Sequence, residues 1–316
     1  MSGAPAGRTH RPRTDERTAG RGLLVIGDVV TDVVALHGTT GPRRGTDTAA
    51  DITLRPGGSG ANTAAWAAHL GGDVRLLARV GHDTADWHRA ALERTGVRPH
   101  LRVDAEHATA VVIAVVDADG ERTMLTSRGA GGRIGPEDWD DALLDGVARL
   151  HLSGYTLFAD PGLRLARMAM ERATRRGVRI SVDPASAGFL RDFGPERFLA
   201  ETAPADLVIP NREEALLLAG TDDVERAGEL LSERYGAAVV KLGRLGGLLA
   251  RGGRVVARVP AVTVRAIDST GAGDAFAAGY LTASLRGAED ETALLRGCRA
   301  GAAATTVVGG RPMQSI

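Results

Sequence analysis

Strand-like and helix-like patterns alternate along most of this chain, and that rhythm restricts its fold more than any other feature. Leu23–Ile26 is a short apolar run ending at Gly27-Asp28, as a buried parallel strand does. Ser59–Leu70 then turns helical and is closed by Gly71-Gly72 as a C-cap. Further strand-like runs occupy Val74–Val80, Leu150–Leu152, Val178–Val182, Leu207–Ile209 and Ala237–Leu242. Helical patterns occupy Thr84–Thr95, Pro161–Arg176, Glu213–Ala219 and Val224–Tyr235, and a last helical stretch covers Ala288–Val308. Strand–helix–strand repetition at this spacing predicts an α/β fold, a doubly wound and mostly parallel sheet flanked by helices on both faces.

Two segments break the rhythm. Asp32–His37 and Asp51–Leu54 flank a Gly/Thr-rich connection, and Thr109–Thr126 reads as a hairpin turning at Asp119-Gly120, a good type I′ pair. These segments, about 32–56 and 108–127, predict a small β-sheet lid covering a site at the edge of the main sheet. Residues 1–21 are rich in Arg, Thr and Gly with no apolar h-region, so they read as a disordered tail rather than a secretory signal. Residues 22–316 then form a single α/β domain with its lid.

Composition narrows the function classes. A formal net charge of +0 gives no chain-wide attraction to nucleic acid or to an anionic membrane. The apolar runs fall short of the ~18 residues that a membrane helix needs, and a cytoplasmic location is the simplest expectation. Cys298 is the only cysteine and reads as a small core residue. The histidines have no metal-ligand spacing. His82 and His88 flank a short helical segment and read as surface or loop residues, whereas His151 lies in an apolar strand and reads as core. Trp66, Trp87 and Trp139 are scattered and form no stacking platform for bases.

The strongest chemical signal is Asp268-Ser269-Thr270-Gly271-Ala272-Gly273-Asp274-Ala275-Phe276, which follows a β-like run over Ala261–Ile267 and opens a helix reaching about Arg286. Small residues at 271–273 let a ligand approach the backbone, and the free N–H groups of a helix start attract phosphate. Asp274 sits in the first turn of that helix, where it either complements the helix dipole or accepts a proton from an attacking hydroxyl. A second turn, Gly57-Gly58-Ser59-Gly60-Ala61-Asn62, joins another strand to another helix. It is neither a P-loop nor a dinucleotide fingerprint, and alone it reads as a plain glycine turn ahead of a polyol-binding one. The two turns lie more than two hundred positions apart, yet a doubly wound sheet gathers such loops along one edge.

The order and spacing of these two turns resemble the signature motifs of the ribokinase-like (PfkB) carbohydrate kinase family, from about Leu23 to Pro312. The resemblance implies an ATP-dependent kinase acting on a small sugar-like molecule with Mg²⁺. It assigns Asp274 as general base and Gly271, Ala272 and Gly273 as the anion hole. It places Asp32, Gly57, Gly58 and Asn62 on the substrate, with Asp28 either touching substrate or ending its strand in a turn. Asn211, Lys241, Gly243 and Gly246 fall on the nucleotide side, and Glu214 on water-held Mg²⁺. Asn211 and Glu214 also read as a helix capping box, and Lys241, the only lysine, also reads as a strand-end surface charge. Asp268 matches a position that helps bind a monovalent cation such as K⁺, although Val307–Arg311 departs from the ribokinase pattern. Dimers through the lid are common in such a family, so a homodimer is implied.

The acceptor is less defined. Val30 stands where ribokinase itself has an Asn that contacts the sugar, and Leu152–Tyr155 lacks the acid found there, which argues against a strict ribose kinase. His151–Tyr155 is more similar to kinases of 2-keto-3-deoxy sugar acids, but Asp183–Ser186 is not their usual pattern. A nucleoside kinase stays open. A non-catalytic sugar- or nucleotide-binding regulator is the alternative from another class, and the intact Asp274, anion turn and Asn211/Glu214 pair weigh against it.

Overall fold

Strand segments that are apolar throughout need cover on both faces, and this chain supplies it with helices. The computed structural model describes residues 21–37, 41, 45–116 and 122–313. Of the tail expected over residues 1–21, residues 1–20 lie outside the described residues, as does the turn at Asp119-Gly120. The chain runs β1 (Gly22–Ile26), β2 (Val30–His37), β3 (Ala50–Gly57), α1 (Ser59–His69), β4 (Val74–Gly81), α2 (Ala85–Glu93) and β5 (Arg98–Asp104). It continues through β6 (Ala110–Val116), β7 (Arg122–Ser127), β8 (Val147–Ser153), α3 (Gly162–Arg175), β9 (Arg179–Asp183), α4 (Ala187–Phe193), α5 (Pro195–Glu201) and β10 (Leu207–Val208). It ends with α6 (Arg212–Ala219), α7 (Val224–Tyr235), β11 (Ala237–Lys241), β12 (Gly247–Arg251), β13 (Arg254–Val259), α8 (Ala272–Leu285) and α9 (Asp290–Ala304).

Among the described residues, nine strands form the main sheet in the order β13-β12-β11-β10-β9-β8-β1-β4-β5. All neighbours from β11 to β5 are parallel, and only the β11–β12 and β12–β13 pairings at one edge are antiparallel. Successive side chains enter opposite layers, as the strand period demands. Leu24 and Ile26 of β1 join Leu152, Val182 and Val240 against α3, α6 and α7. Leu23 and Val25 join Leu76, Ala78 and Val80 against α1, α2, α8 and α9. Helices α8 and α9 approach closely because their contact is built from Gly and Ala; a Cβ on Gly279 would lie 2.6 Å from the Arg296 carbonyl. Cys298 is buried in this layer, and His151 is buried in the sheet with Nδ1 3.0 Å from Ser181 Oγ.

A second sheet of four strands, β3-β2-β6-β7, stands beyond the C-terminal end of β1. Strand β2 pairs antiparallel with β3 and parallel with β6, and β6 pairs antiparallel with β7. No helix among the described residues is long and apolar enough to cross a membrane.

Two local expectations are corrected. Ala261–Ile267 is irregular rather than a strand, because the chain has left the sheet edge after β13. Val262, Val264 and Ile267 are exposed there, and β-branched residues without a neighbouring strand form no ladder. His88 is not a surface residue but lies inside α2, fully buried, with Nε2 3.0 Å from Thr31 Oγ1. Burial pushes its imidazole down to about 4, with the nearby Arg311 charge adding to the effect.

Candidate active site

The site begins where β1 meets the start of α1. Gly27 and Gly60 are pressed together so closely that a Cβ on either would lie 2.6 Å from the other's Cα. Asp28 uses this proximity, accepting the N–H groups of Ser59 (3.1 Å) and Gly60 (3.0 Å). Those are orphan donors of the first turn of α1, so Asp28 ends the strand and caps the helix across the junction. Capping here sets the direction of the next two polar side chains.

Those side chains reach Asp274. Ser59 Oγ donates to Asp274 Oδ1 (2.8 Å), and Asn62 Nδ2 donates to Asp274 Oδ2 (3.0 Å). The two turns singled out in the sequence therefore meet through direct hydrogen bonds. Burial pushes the Asp274 carboxyl up to about 7, and the bonds from Asn62 and Ser59 pull against that rise. A carboxyl poised near neutrality is suited to proton transfer at physiological pH.

Asp274 lies in the first turn of α8, whose N-cap Gly271 has φ 71°, a left-handed conformation. Gly271 also rests on the C-terminal loop, since a Cβ there would sit 2.5 Å from Gly310 Cα. The Ala272 N–H is used on the Ser269 carbonyl (3.3 Å), while Gly273 and Asp274 head the helix, where no helical carbonyl precedes them to accept. Asp268 ties this turn to the C-terminal loop, with Oδ1 accepting from Thr270 N (2.8 Å) and Oδ2 from Gly309 N (2.9 Å).

Asp32, early in β2, lies against Gly57, where any Cβ would overlap its carboxylate. Burial pushes Asp32 up to about 6, the Asp28 charge adds to this, and Arg311 opposes it. One cleft of about 320 Å³ gathers Asp28, Asp32, Gly58, Asn62, Gly271 and Asp274. Its opposite wall is apolar and comes from the second sheet (Val112, Met124), the turn after β8 (Tyr155) and α4 (Phe189).

The residues expected on the nucleotide side form an adjoining cluster. Asn211 and Glu214 make a capping box at α6: Glu214 N donates to Asn211 Oδ1 (2.9 Å), and Asn211 N donates to Glu214 Oε2 (2.8 Å). Asn211 Nδ2 also donates to Glu214 Oε1 (2.7 Å). Glu214 is 1% exposed, and burial pushes its carboxyl up to about 7 against the pull of Lys241. Lys241 is no surface charge; its ammonium donates to Asp183 Oδ2 (2.5 Å) deep in the structure. Burial alone would lower its pKa, but Asp183 and Glu214 override that and raise it. A Cβ on Gly273 would lie 3.6 Å from Lys241 Nζ, so the lysine abuts the turn at the head of α8. Gly243 and Gly246 bound the tight turn after β11, whose Leu245 is exposed.

Five contributors were not singled out from the sequence. Ser59 stood in the quoted glycine turn, but nothing there announced its bond to Asp274. Asp183 ends β9, and a strand-terminal acid at the ligand edge of a parallel sheet was the available signal. Arg311 donates from Nη2 to the Gly57 carbonyl (3.1 Å), and no local pattern points to it. Tyr155 and Phe189 form an edge-on aromatic pair with centroids 5.7 Å apart.

The pfkB family carbohydrate kinase model matches residues 21–315. A fructokinase of Klebsiella pneumoniae is 31% identical over 305 residues, covering 91% of this chain and 94% of that protein. The crystal structure of adenosine kinase from Sinorhizobium meliloti superposes with a TM-score of 0.82 at 28% identity, covering 94% of this chain and 97% of that one. A double-mutant fructokinase of Vibrio cholerae O395, in its fructose-, ADP- and potassium-bound form, superposes with a TM-score of 0.76 at 25% identity, covering 93% and 95%.

Proposed function

The chain belongs to the pfkB family of carbohydrate kinases, ATP-dependent phosphotransferases, and we propose that Asp274 is its general base toward a hydroxyl of a small sugar or sugar acid. One observation carries this reading: Ser59 and Asn62 of the glycine turn hold the Asp274 carboxylate from one side while the head of α8 presents N–H groups beside it. An acceptor hydroxyl over Asp274 and a phosphoryl group over the α8 start would then be in line. Asp274 takes the proton as the oxygen attacks, and the helix-head N–H groups meet the charge on the transferring group. Asp32 and Asn62 orient the polyol.

Lys241 stands against Gly273, where its compact ammonium can meet phosphate oxygens. Asp183 and Glu214 place two carboxyls near that one ammonium, and their negative charge suits a hydrated divalent cation carried by the phosphates rather than a ligand set that binds the ion directly. Glu214 has both oxygens engaged by Asn211 and almost no exposed surface, so it fits water-mediated rather than direct contact. Bound there, Mg²⁺ would neutralise polyphosphate charge.

A second reading, a nucleoside acceptor, is favoured by Tyr155 and Phe189, whose pair offers a planar base an aromatic wall; Phe189 is 38% exposed. A coupled ADP-release screen over pentoses, hexoses, keto-deoxy sugar acids and ribonucleosides separates the two. Turnover confined to nucleosides would overturn the sugar reading, and no turnover with any acceptor would overturn both.

The partner reading is a second copy of the chain. Strand register places Leu54, Val33, Ile113 and Leu125 in one row on the face of the small sheet opposite Asp32 and Val112, which line the cleft. Leu54 is 63% and Leu125 60% exposed, and an apolar row of this kind on a sheet is suited to packing against its own copy. Light scattering of the wild type beside Leu54→Lys tests it, with a dimer expected only for the former.

A further inference from the structure

The family resemblance implies a monovalent cation beside Asp268, yet five of the oxygens at that corner already accept from protein N–H groups. Asp268 Oδ1 and Oδ2 accept from Thr270 N and Gly309 N at 2.8 and 2.9 Å. The Thr305 carbonyl accepts from both Ile267 N (2.7 Å) and Asp268 N (3.2 Å). The Gly310 carbonyl accepts from Trp66 Nε1 (3.0 Å), and the Val308 carbonyl from Arg55 Nη1 (3.3 Å). A hard cation needs several oxygen lone pairs converging on it, and at each of these oxygens a protein N–H group already takes up part of the accepting capacity.

Two of the tethers are permanent cations. The Arg55 stem runs along the loop, with its Cδ 3.3 Å from where a Cβ on Gly309 would be. Arg311, on the same loop, reaches back to the Gly57 carbonyl of the substrate turn (3.1 Å). Arg55 Nε and Arg311 Nε and Nη1 are buried with no acceptor, so the corner holds surplus donors and positive charge rather than surplus oxygens. A guanidinium stays charged at every relevant pH and offers a planar fork of donors. It can tie carbonyls together from its own position, as a bound cation would by drawing them inward.

We infer that this kinase works without a monovalent cation, because Arg55 and Arg311 hold the C-terminal loop against the anion turn and the substrate turn. The loop matters for catalysis because Gly310 backs both Gly271 and Asn62. This inference rests on the assignment of Gly271–Gly273 as the phosphate-binding turn.

The test compares the full chain in potassium, sodium and tetramethylammonium chloride at constant ionic strength. The melting temperature is expected to agree across the three salts. A bound cation at saturation would raise it in KCl by about 5 °C or more, and such a rise overturns the inference. Initial rates with the acceptor found by the ADP-release screen are expected to agree within about twofold, well under the tenfold effect that 1.4 kcal/mol of coupling would give. Saturable activation by K⁺ beyond that also overturns it. Arg55→Met and Arg311→Met should each lower kcat and the melting temperature. Wild-type values for both variants would remove the arginines from the role. If no acceptor is turned over, the functional reading fails while the melting comparison still decides the cation question.

Discussion

Replacing Asp274 by Asn removes one ionisable group from the centre of the site while leaving its shape. Ser59 Oγ can still donate to the new amide oxygen. The new amide nitrogen would face Asn62 Nδ2, donor against donor, but Asn62 Oδ1 is buried without a partner. A half-turn of the Asn62 amide therefore restores that bond. In the unfolded chain the Asp274 carboxyl ionises above 3.8, whereas burial in the fold delays this to about 7. The site's contribution to stability is thus complete below 3.8 and is lost as pH rises through 7. The rise from 3.8 to about 7 corresponds to at most roughly 4 kcal/mol. Asn carries no charge to bury, so Asp274→Asn should match wild type near about pH 4 and exceed its stability at about pH 8, by up to that amount. Turnover should move the other way, falling by about two to four orders of magnitude. Wild-type kcat/KM should climb with pH to a plateau above about 7, and the variant's residual rate should lack that limb. Chemical denaturation at several pH values and ADP-release kinetics measure both. A variant keeping more than about a tenth of the rate, or a wild type with no pH dependence between about 6 and 8, would refute the assignment.

Gly310→Ala should lower kcat by about a hundredfold, because its Cβ would displace the Asn62 amide and with it Asp274, and sub-ångström placement carries much of the rate; steady-state kinetics with a preserved circular dichroism spectrum check this. Lys241→Met leaves Asp183 buried and unpaired and should cost about 3–5 kcal/mol of stability. Adding Asp183→Asn should restore most of that loss but not ADP affinity, as melting and calorimetry will show. Asp32→Asn should raise the acceptor KM about tenfold or more, the worth of a charged hydrogen bond. In the wild type the same KM should fall as pH rises through about 6, where Asp32 ionises.

Much of this architecture was legible from local pattern. The strand runs from Leu23–Ile26 to Ala237–Leu242 and the intervening helices appear with ends within a few residues of expectation, because apolar period and glycine caps act locally. The expected strand at Ala261–Ile267 failed because β-branched residues register propensity but not the presence of a neighbour to pair with. His88 was misjudged because its helix is short and its burial comes from elsewhere: Thr31, 57 positions away, and Arg311. The two glycine turns stood out because tight turns and helix starts restrict residue type at consecutive positions.

The amino-acid order alone determined a doubly wound sheet, the turn opening α8 and the carboxylate in its first turn, since each is written in residues that touch along the chain. Folding decided what that carboxylate is. Ser59 and Asn62 reach it from 215 and 212 positions away, Lys241 finds Asp183 across 58, and Arg311 grips Gly57 across 254. Burial and distant partners set the charge states of Asp274, Glu214 and Lys241, and both exist only once the loops converge on one edge of the sheet.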